Sequence, residues 1–373
     1  MKKHFKTIII GTITITLSAC FPTEQRNLSN NSENGTISII EDSNSENENK
    51  FIDDSSDVVT FDADLYIPEG PYLASVPAKP LEFESDEVVN LFNTYATSPL
   101  YQTVDEGWSE RWENEMGDIL TFDYIDFSFY NHKFLTKAYN QVLSIDGEFV
   151  GNNFFDLYEF KELENNPSES VIQSMKYILD QLGIEHLNTP KIAALTDSDL
   201  IAYNDEIFLI RENSNISEFE TGDQVYVIEY PLTLGGASLA TTGYTEETLY
   251  GFNGSKAIGI FHEEGLVYLK MTGLYQINGN YENEFISIMT MNQLKDVLIN
   301  EYSGIIGLGN VVVNEIALQY LPIMEEIPTE IEDFTFNIEP YWIVNTTQYH
   351  DGEKIGQGMS IDLYSVIDGS RIK

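Results

Sequence analysis

Two stretches of the chain carry apolar residues at helical spacing behind clear helix-start signals. The segment Asn166–Glu169 combines a capping residue, a first-turn proline and a capping-box glutamate, and apolar residues follow at 171, 175, 178 and 182 before Gly183. The segment Thr290–Gln293 repeats this arrangement ahead of apolar residues at 294, 297, 298 and 302, before Gly304. The pattern predicts two helices, each with one stripe of side chains facing a core.

Two further helices are predicted nearer the N-terminus. Ser85–Glu87 precedes apolar residues at 88, 89, 91, 92 and 95, which is typical of an N-capped amphipathic helix. Trp108, Trp112 and Met116 lie four residues apart, on one face of a second predicted helix. Two interpretations of the tryptophan pair stay open. Packing in the core is the more common outcome, and a stacking platform for a sugar or another ligand is the functional alternative.

Strand-like segments surround these helices. Alternating or continuous apolar runs with turn residues between them predict strands over 120–130, 224–232, 256–262, 266–277, 312–320, 336–344 and 359–367. Asp-Gly dipeptides at 146–147 and 351–352 are hairpin signals. Helix followed by antiparallel strands occurs twice. The sequence therefore predicts an α+β fold with antiparallel sheets, each packed by a helix, built as two related halves.

The first twenty residues predict where the protein resides. Three lysines precede an uncharged run from Thr7 to Ser18, which is about a dozen residues long and too short to span a membrane. The run ends in Leu17, Ser18, Ala19 and Cys20, and this box resembles the bacterial lipoprotein signal. The resemblance implies that Cys20 carries the lipid, palmitate or a related acyl chain, and begins the mature chain. An ordinary cleaved signal or an uncleaved anchor is the alternative.

Composition divides the rest of the chain. From residue 22 to about residue 58 the sequence is rich in Asn, Ser, Glu and Asp, which favours a disordered charged tether. We therefore predict a signal peptide over 1–19, a tether over 20–59, and two α+β domains over 60–250 and 251–373. Cys20 is the only cysteine, so an intramolecular disulfide is excluded.

The chain is strongly acidic, with 61 Asp and Glu against 19 Lys and Arg. Removing the three lysines of residues 1–19 leaves 16 − 61 = −45 on the mature chain. Nucleic acid and anionic lipid headgroups are therefore excluded as main partners, because both are bound through Lys and Arg. A well-hydrated surface is the simplest interpretation of this charge. Calcium binding is the more specific interpretation of the acidic charge.

Three segments carry a family resemblance: 316–323 (IALQYLPI), 338–344 (IEPYWIV) and 361–369 (IDLYSVIDG). They are similar to the C-terminal unit of the YycH/YycI-type regulatory proteins and related Firmicute lipoproteins, with its PepSY-like closing strand. The resemblance covers about 255–373 and, more faintly, 118–250. It implies a Gram-positive, extracytoplasmic regulatory protein that binds a protein partner, and it supplies no catalytic residues.

The residues from which catalytic sites are built do not assemble into a known motif. His262-Glu263-Glu264 lacks the second histidine of a zinc-protease helix, and the segment Asp197–Asp199 lacks the later ligands of a calcium loop. Asp123 and Asp126 resemble a glycosidase acid pair, but such pairs arise by chance among many acids. We therefore predict no catalytic residue, no metal ligand and no cofactor.

These observations lead to three functional hypotheses. The first is a lipid-anchored, non-enzymatic protein on the extracytoplasmic face of the cell membrane, which binds and modulates another envelope protein. The second is a cell-surface binding module for a cation, a glycan or a small ligand, with Trp108 and Trp112 as ligand contacts. The third is a hydrolase.

Overall fold

The computed structural model describes residues 50–68, 71–105, 109–145, 155, 158, 160–163, 167–212, 214–241, 243–245, 251–252, 254–280, 284–305, 309–324, 334–350, 353–354 and 360–372. These residues fall within one compact unit. The described strands, in chain order, are β1 (Lys50–Asp53), β2 (Val59–Tyr66), β3 (Tyr72–Leu73), β4 (Val76–Pro80), β5 (Tyr101–Asp105), β6 (Ser109–Glu113), β7 (Ile119–Asp123), β8 (Asp126–Tyr130), β9 (Lys191–Leu195), β10 (Val225–Pro231), β11 (Thr233–Leu234), β12 (Ala237–Ser238), β13 (Tyr244–Thr245), β14 (Gly251–Phe252), β15 (Lys256–His262), β16 (Gly265–Thr272), β17 (Tyr275–Ile277), β18 (Phe285–Ile286), β19 (Asn310–Ile323), β20 (Phe336–His350), β21 (Glu353–Lys354) and β22 (Ser360–Ser365). The described helices are α1 (Ser85–Phe92), α2 (His132–Lys137), α3 (Tyr139–Ile145), α4 (Ser168–Gln181), α5 (Asp197–Ala202), α6 (Phe208–Arg211) and α7 (Met291–Ser303).

Two large sheets organise these elements. Sheet 1 has the order β1-β2-β19-β20-β4-β17, and β21 and β22 also pair with β20. Sheet 2 has the order β5-β6-β7-β8-β16-β15-β10-β9. Every pair in these two sheets is antiparallel except β2 with β19, which is parallel. The predicted α+β fold with antiparallel sheets is confirmed.

A helix packs on each sheet, as predicted. On Sheet 1, Leu294 and Leu298 of α7 are buried in one cluster with Trp342 and Val344 of β20. On Sheet 2, α4 contributes Val171, Met175, Ile178 and Leu179 to the main core. The other face of Sheet 2 forms a second apolar cluster with α2, α3 and α5. Burial on both faces explains why its central strands are almost wholly apolar.

The helix starts follow the predicted signals in part. Thr290 and Gln293 form the expected capping box at α7. At α4 the cap position is Pro167, with no side-chain capping bond, and the Ser168 hydroxyl donates to Glu162 instead. At α1 the cap position is Glu84, again without a capping bond, and Ser85 is already helical. In these two helices the first serine binds another part of the chain, because Ser85 donates to Glu110 and Ser168 donates to Glu162.

The strand predicted over 266–277 is divided between the two sheets. Its first part is β16 of Sheet 2 and its second part is β17 of Sheet 1. Gly273 lies at the break with a φ of +62°, and a Cβ there would lie 2.4 Å from the Ser255 hydroxyl oxygen. Only glycine fits this turn without strain. Apolar alternation continues through the break, so the periodicity alone did not reveal it.

Two further predictions need correction. The helix expected over Trp108–Met116 is wrong, because Trp112 lies in β6, paired on both sides with β5 and β7. Its apolar neighbours are supplied by adjacent strands, not by residues four positions away. The tether predicted over 20–59 is too long, because β1 begins at Lys50 and pairs with β2. The β1–β2 pairing satisfies the backbone of residues whose composition suggested disorder.

The two sheets divide the chain differently from the predicted domains. All strands of Sheet 2 lie between residues 101 and 272, whereas Sheet 1 combines β1, β2 and β4 with strands after residue 275. The predicted boundary between 250 and 251 separates β10 from β15, which pair along their whole length. Sheet 2 is therefore inserted between early and late strands of Sheet 1. The expectation of two related halves stays a prediction.

Candidate functional site

The residues predicted to have functional roles are distributed unevenly over the structure. Leu17, Ser18, Ala19, Cys20 and Trp108 lie outside the described residues. Trp112 is partly buried against the main core of Sheet 2, and its indole Nε1 donates to Glu110 Oε2 at 3.2 Å. Its ring packs and its polar edge is bonded, as a core tryptophan requires. A ligand-contact role for Trp112 stays a prediction.

The acidic pair Asp123 and Asp126 has a local role. The two residues face each other across the β7–β8 pair, on either side of a turn in which Tyr124 has a φ of +32°. Asp123 accepts a hydrogen bond from the Ser109 hydroxyl. The pair thus lies at a hairpin tip.

Among the described residues, no helix is long and apolar enough to cross a membrane.

A group of titratable side chains surrounds His262 at the end of β15. The imidazole is buried, and its Nδ1 lies 3.2 Å from Lys133 Nζ on α2. The backbone N–H of Glu264 also points at Nδ1, at 3.3 Å. Both partners are donors, so Nδ1 is the acceptor and the neutral ring carries its proton on Nε2. Lys133 Nζ also lies 3.3 Å from Glu264 Oε2.

The electrostatics of this group keep the imidazole neutral. Burial lowers the pKa of His262, and the adjacent Lys133 ammonium lowers it further, against the opposing charges of Glu264, Glu263 and Asp223. One helical turn further along α2, Lys137 Nζ contacts Asp223 at 3.0 Å. The two lysines thus fix α2 to the β15–β16 hairpin and to the start of β10.

The same residues offer ligands to a metal ion. Ligand atoms of His262, Glu263 and Glu264 all lie within 4.8 Å of one another, and this is the one such group found in the described residues. An imidazole nitrogen and carboxylate oxygens suit a divalent cation. The Lys133 ammonium, however, already contacts His262 Nδ1 and Glu264. A divalent ion that binds through Nδ1 and Glu264 must displace the ammonium from both ligands.

A second polar group lies on the same face of Sheet 2, at the other end of the strands. We call Lys191, Glu229, Lys256 and Lys270 the lysine cluster. Glu229 is buried, and its Oε1 lies 3.7 Å from Lys191 Nζ. Cross-strand pairing places Lys191 opposite Glu229, Glu229 opposite Ile258, and Ile258 opposite Lys270. Lys256 is two residues before Ile258 and therefore on the same face.

Lys256 is the most perturbed cation of the lysine cluster. Burial lowers the pKa of its ammonium, and the positive charges of Lys191 and Lys270 lower it further, while Glu229 opposes them. The charges of Glu229, Lys191 and Lys270 therefore all act on Lys256.

The lysine cluster was missed by sequence reasoning, although the sequence contains a signal for it. The strands β9, β10, β15 and β16 read KIAAL, VYVIEYP, KAIGIFH and GLVYLKMT. Each is an apolar strand with one Lys or Glu. Charged residues in buried strands are rare and need partners. What the sequence does not show is that the four strands are neighbours with these residues in register.

Comparison with known proteins gives a fold and no family. No model of a known protein family matches the chain, and no curated protein matches it. An uncharacterised protein from Eubacterium rectale ATCC 33656 has a solved structure that is similar to this one, with a TM-score of 0.62. The match covers 87% of this chain and 93% of that chain at 17% identity. At this identity the likeness shows the fold alone, and the resemblance to YycH/YycI-type proteins stays a prediction.

Proposed function

We propose that this protein is a lipid-anchored, non-enzymatic protein of the extracytoplasmic membrane face, which binds and modulates another envelope protein. The observation that carries the proposal is the Leu-Ser-Ala-Cys box at 17–20, ahead of a body whose first described strand begins at Lys50. The 50 − 20 = 30 residues from Cys20 to that strand can span at most about 100 Å. A lipid on Cys20 would thus attach the body to the membrane within that distance.

The arrangement of polar residues supports binding in preference to catalysis. Asp118 is fully buried and accepts hydrogen bonds from the Thr97 backbone and hydroxyl, the Asn114 amide and the His132 backbone. His262 is engaged by Lys133. These groups hold loops and helices in place, and each is bonded to a structural partner.

Membrane attachment is tested by replacing the acylated residue. Cys20→Ser removes the thiol that carries the lipid, and Cys20→Ala is a second variant with the same loss. The wild type should incorporate labelled palmitate and sediment with membranes, while both variants should lose the label and the processing step. Membrane retention of both variants with normal processing would overturn the anchor.

Partner binding is tested by crosslinking in intact cells that produce the full-length protein. Photo-reactive residues are placed at exposed positions of the body, and the adducts are identified by mass spectrometry. We expect one envelope protein to recur, and the Cys20→Ser variant to lose it because the two proteins no longer share a surface. The absence of any recurring protein adduct would contradict the proposal.

Cation binding is the second candidate, and the His262-Glu263-Glu264 group is the observation that favours it. If this group binds a divalent ion, Lys133→Met should strengthen binding by freeing two ligands. The test is a Ca²⁺ or Zn²⁺ titration followed by melting temperature, with Lys354→Met as the matched control. If millimolar ion does not raise the melting temperature of the wild type or of either variant, this candidate is removed.

A further inference from the structure

We infer that the α5–α6 segment is the docking site for an apolar segment of the partner protein that has basic residues beside it, an inference that rests on the proposed function. Ile201 of α5 is 40% exposed, and Phe208 and Leu209 of α6 are 49% and 72% exposed. We call these three residues the apolar patch. In the part of the chain that the structure describes, no other two exposed large apolar residues are consecutive.

The local fold explains why the apolar patch faces solvent. Leu200, Tyr203 and Ile207 are buried in the second apolar cluster of Sheet 2. Their spacings of three and four residues place them on one face of the helical turns that join α5 to α6. Ile201 and Phe208 each follow one of these buried residues and therefore lie outside that face. The segment thus has one side attached to Sheet 2 and one apolar side exposed.

Phe208 is held in position by a neighbouring cation. The Arg211 guanidinium lies 5.8 Å from the centroid of the Phe208 ring. The guanidinium is itself fixed, because it donates to the Asn204 carbonyl at 2.7 Å and forms an ion pair with Glu218 at 2.7 Å. An aromatic side chain that is ordered before binding loses less conformational freedom on binding. Phe208 therefore has the properties of an anchor residue in an interface.

The charges around the apolar patch identify the chemistry of the occupant. Asp205, Glu206 and Glu212 are exposed, and each lies within four residues of Phe208. None of these three acids forms an ion pair with another residue that the structure describes. Arg211 is the one base of α6, and Glu218 neutralises it. A segment that places apolar side chains on the patch and lysine or arginine beside them therefore matches this surface.

The same charges disfavour two other occupants. An anionic membrane surface repels three exposed acids, so insertion of the apolar patch into lipid is opposed. A second copy of the chain would bring the same acids to the interface, and the mature chain carries 16 − 61 = −45. Like charges that face each other across an interface oppose association. A basic, apolar segment of a different protein is thus the occupant that charge complementarity selects.

The first test uses the full-length protein in phosphatidylcholine nanodiscs, with empty nanodiscs as background. The probe is a fluorescent peptide with a Leu-Phe-Leu centre between two pairs of lysines, and anisotropy measures its binding in about 0.1 M salt. We expect Phe208→Ser/Leu209→Ser to lower the affinity at least about tenfold. The matched control Ile52→Ser/Ile367→Ser removes two side chains that are 65% and 70% exposed. It should lower the affinity less than about twofold, and melting curves verify that both variants fold.

The acids are tested with the apolar patch intact. Asp205→Asn/Glu206→Gln/Glu212→Gln should lower the affinity about fivefold, and about 0.3 M salt should remove most of that difference. A second peptide, with glutamates in place of the lysines, should bind more weakly than the first. No binding of the lysine peptide by the wild type, equal loss in the two double variants, unchanged affinity of the triple variant, or equal binding of the two peptides would each overturn the inference.

Crosslinking in intact cells identifies the occupant directly. A photo-reactive residue replaces Phe208 in the full-length protein, and the same residue at position 367 is the control. We expect the adduct at position 208 to map by mass spectrometry to an apolar residue of another protein, with lysine or arginine within a few positions. An adduct with lipid or with a second copy of this chain would overturn the inference.

The peptide assay is separable from the tests of the proposed function. It uses purified protein, so failure to capture a partner in cells does not alter the peptide affinity. Conversely, a wild type that does not bind the peptide leaves the fractionation of Cys20→Ser unchanged, and it leaves adducts from other positions of the body unchanged.

Discussion

Asp362 of Sheet 1 and Glu229 of Sheet 2 are both buried carboxylates, and their surroundings differ. Asp362 accepts a hydrogen bond from the Tyr302 hydroxyl of α7 at 2.5 Å and forms an ion pair with Arg371. The Arg371 guanidinium also contacts Glu301 at 2.9 Å. Glu229 forms an ion pair with Lys191 at 3.7 Å. Glu229, Lys191 and Lys270 also shift the pKa of Lys256 through their charges.

The difference separates a carboxylate with two direct partners from one with a more distant partner. The Tyr302 hydroxyl and the Arg371 guanidinium both contact Asp362, and they fix α7 and β22 to each other. Glu229 contacts Lys191 over a longer distance, and the Lys191 side chain is 51% exposed. A buried charge stabilises a fold only while its partners remain, and a partner that water screens contributes less.

The largest expected effect is at Asp362. Asp362→Ala removes the acceptor of Tyr302 and Arg371, and we expect unfolding free energy to fall by about 3 kcal/mol. Urea denaturation measures the change, with the exposed Asp296→Ala of α7 as control. A loss below about 1 kcal/mol would show that Asp362 is not essential to the attachment of α7.

A smaller loss is expected at Glu229. Glu229→Gln keeps the volume of the side chain but removes the carboxylate that Lys191 contacts, and we expect the free energy of unfolding to fall by about 1.5 kcal/mol. The cost is lower than at Asp362 because the Lys191 side chain is half-exposed and water screens its charge. Urea denaturation measures the change, and a loss as large as that of Asp362→Ala would contradict the comparison.

A third effect depends on pH and involves the other end of Sheet 2. The pKa of His262 is lowered from its ordinary 6.5, so the unfolded chain binds the proton first as the pH falls. This contribution to stability is therefore present above pH 6.5 and is lost as the pH falls through the folded pKa. Lys133, Glu263, Glu264 and Asp223 face this ring. Urea denaturation at a series of pH values should show that His262→Gln flattens the fall in unfolding free energy below pH 6.5. An unchanged slope would assign that fall to the carboxylates.

The smallest effect should have the opposite sign. Lys256→Met removes an ammonium that is desolvated and repelled by two lysines, so we expect a gain of a few tenths of a kcal/mol at neutral pH. The lowered pKa of Lys256 means that the wild type gains stability as the pH rises from the folded pKa towards 10.5. The difference in melting temperature between Lys256→Met and the wild type should therefore decrease at high pH. An increase in this difference would show that the Lys256 charge stabilises the fold.

Local chemistry in the sequence predicted three helices, and it predicted a fourth where the chain forms β6. Thr290 and Gln293 predicted the start of α7 because capping uses residues three positions apart. Continuous apolar runs predicted β10 and β15, and apolar alternation predicted β19, because both patterns depend only on neighbouring residues. It did not identify Gly273 as the point where the chain changes sheets, because that depends on contact with Ser255.

The candidate sites show the same limit. The acylation box at 17–20 is contiguous, so the sequence alone predicts it. The pairing of Lys133 with His262, 129 residues apart, and the grouping of Lys191, Glu229, Lys256 and Lys270 depend on strand order and register.

The sequence by itself determined the class of fold, the start of α7 and the excess of acid, because each depends on neighbours along the chain or on composition. It also predicts the lipid attachment at Cys20. Only the tertiary structure decided which strands share a sheet and which charges meet. The insertion of Sheet 2 between early and late strands of Sheet 1 joins distant residues by backbone hydrogen bonds, whose partners no local pattern encodes.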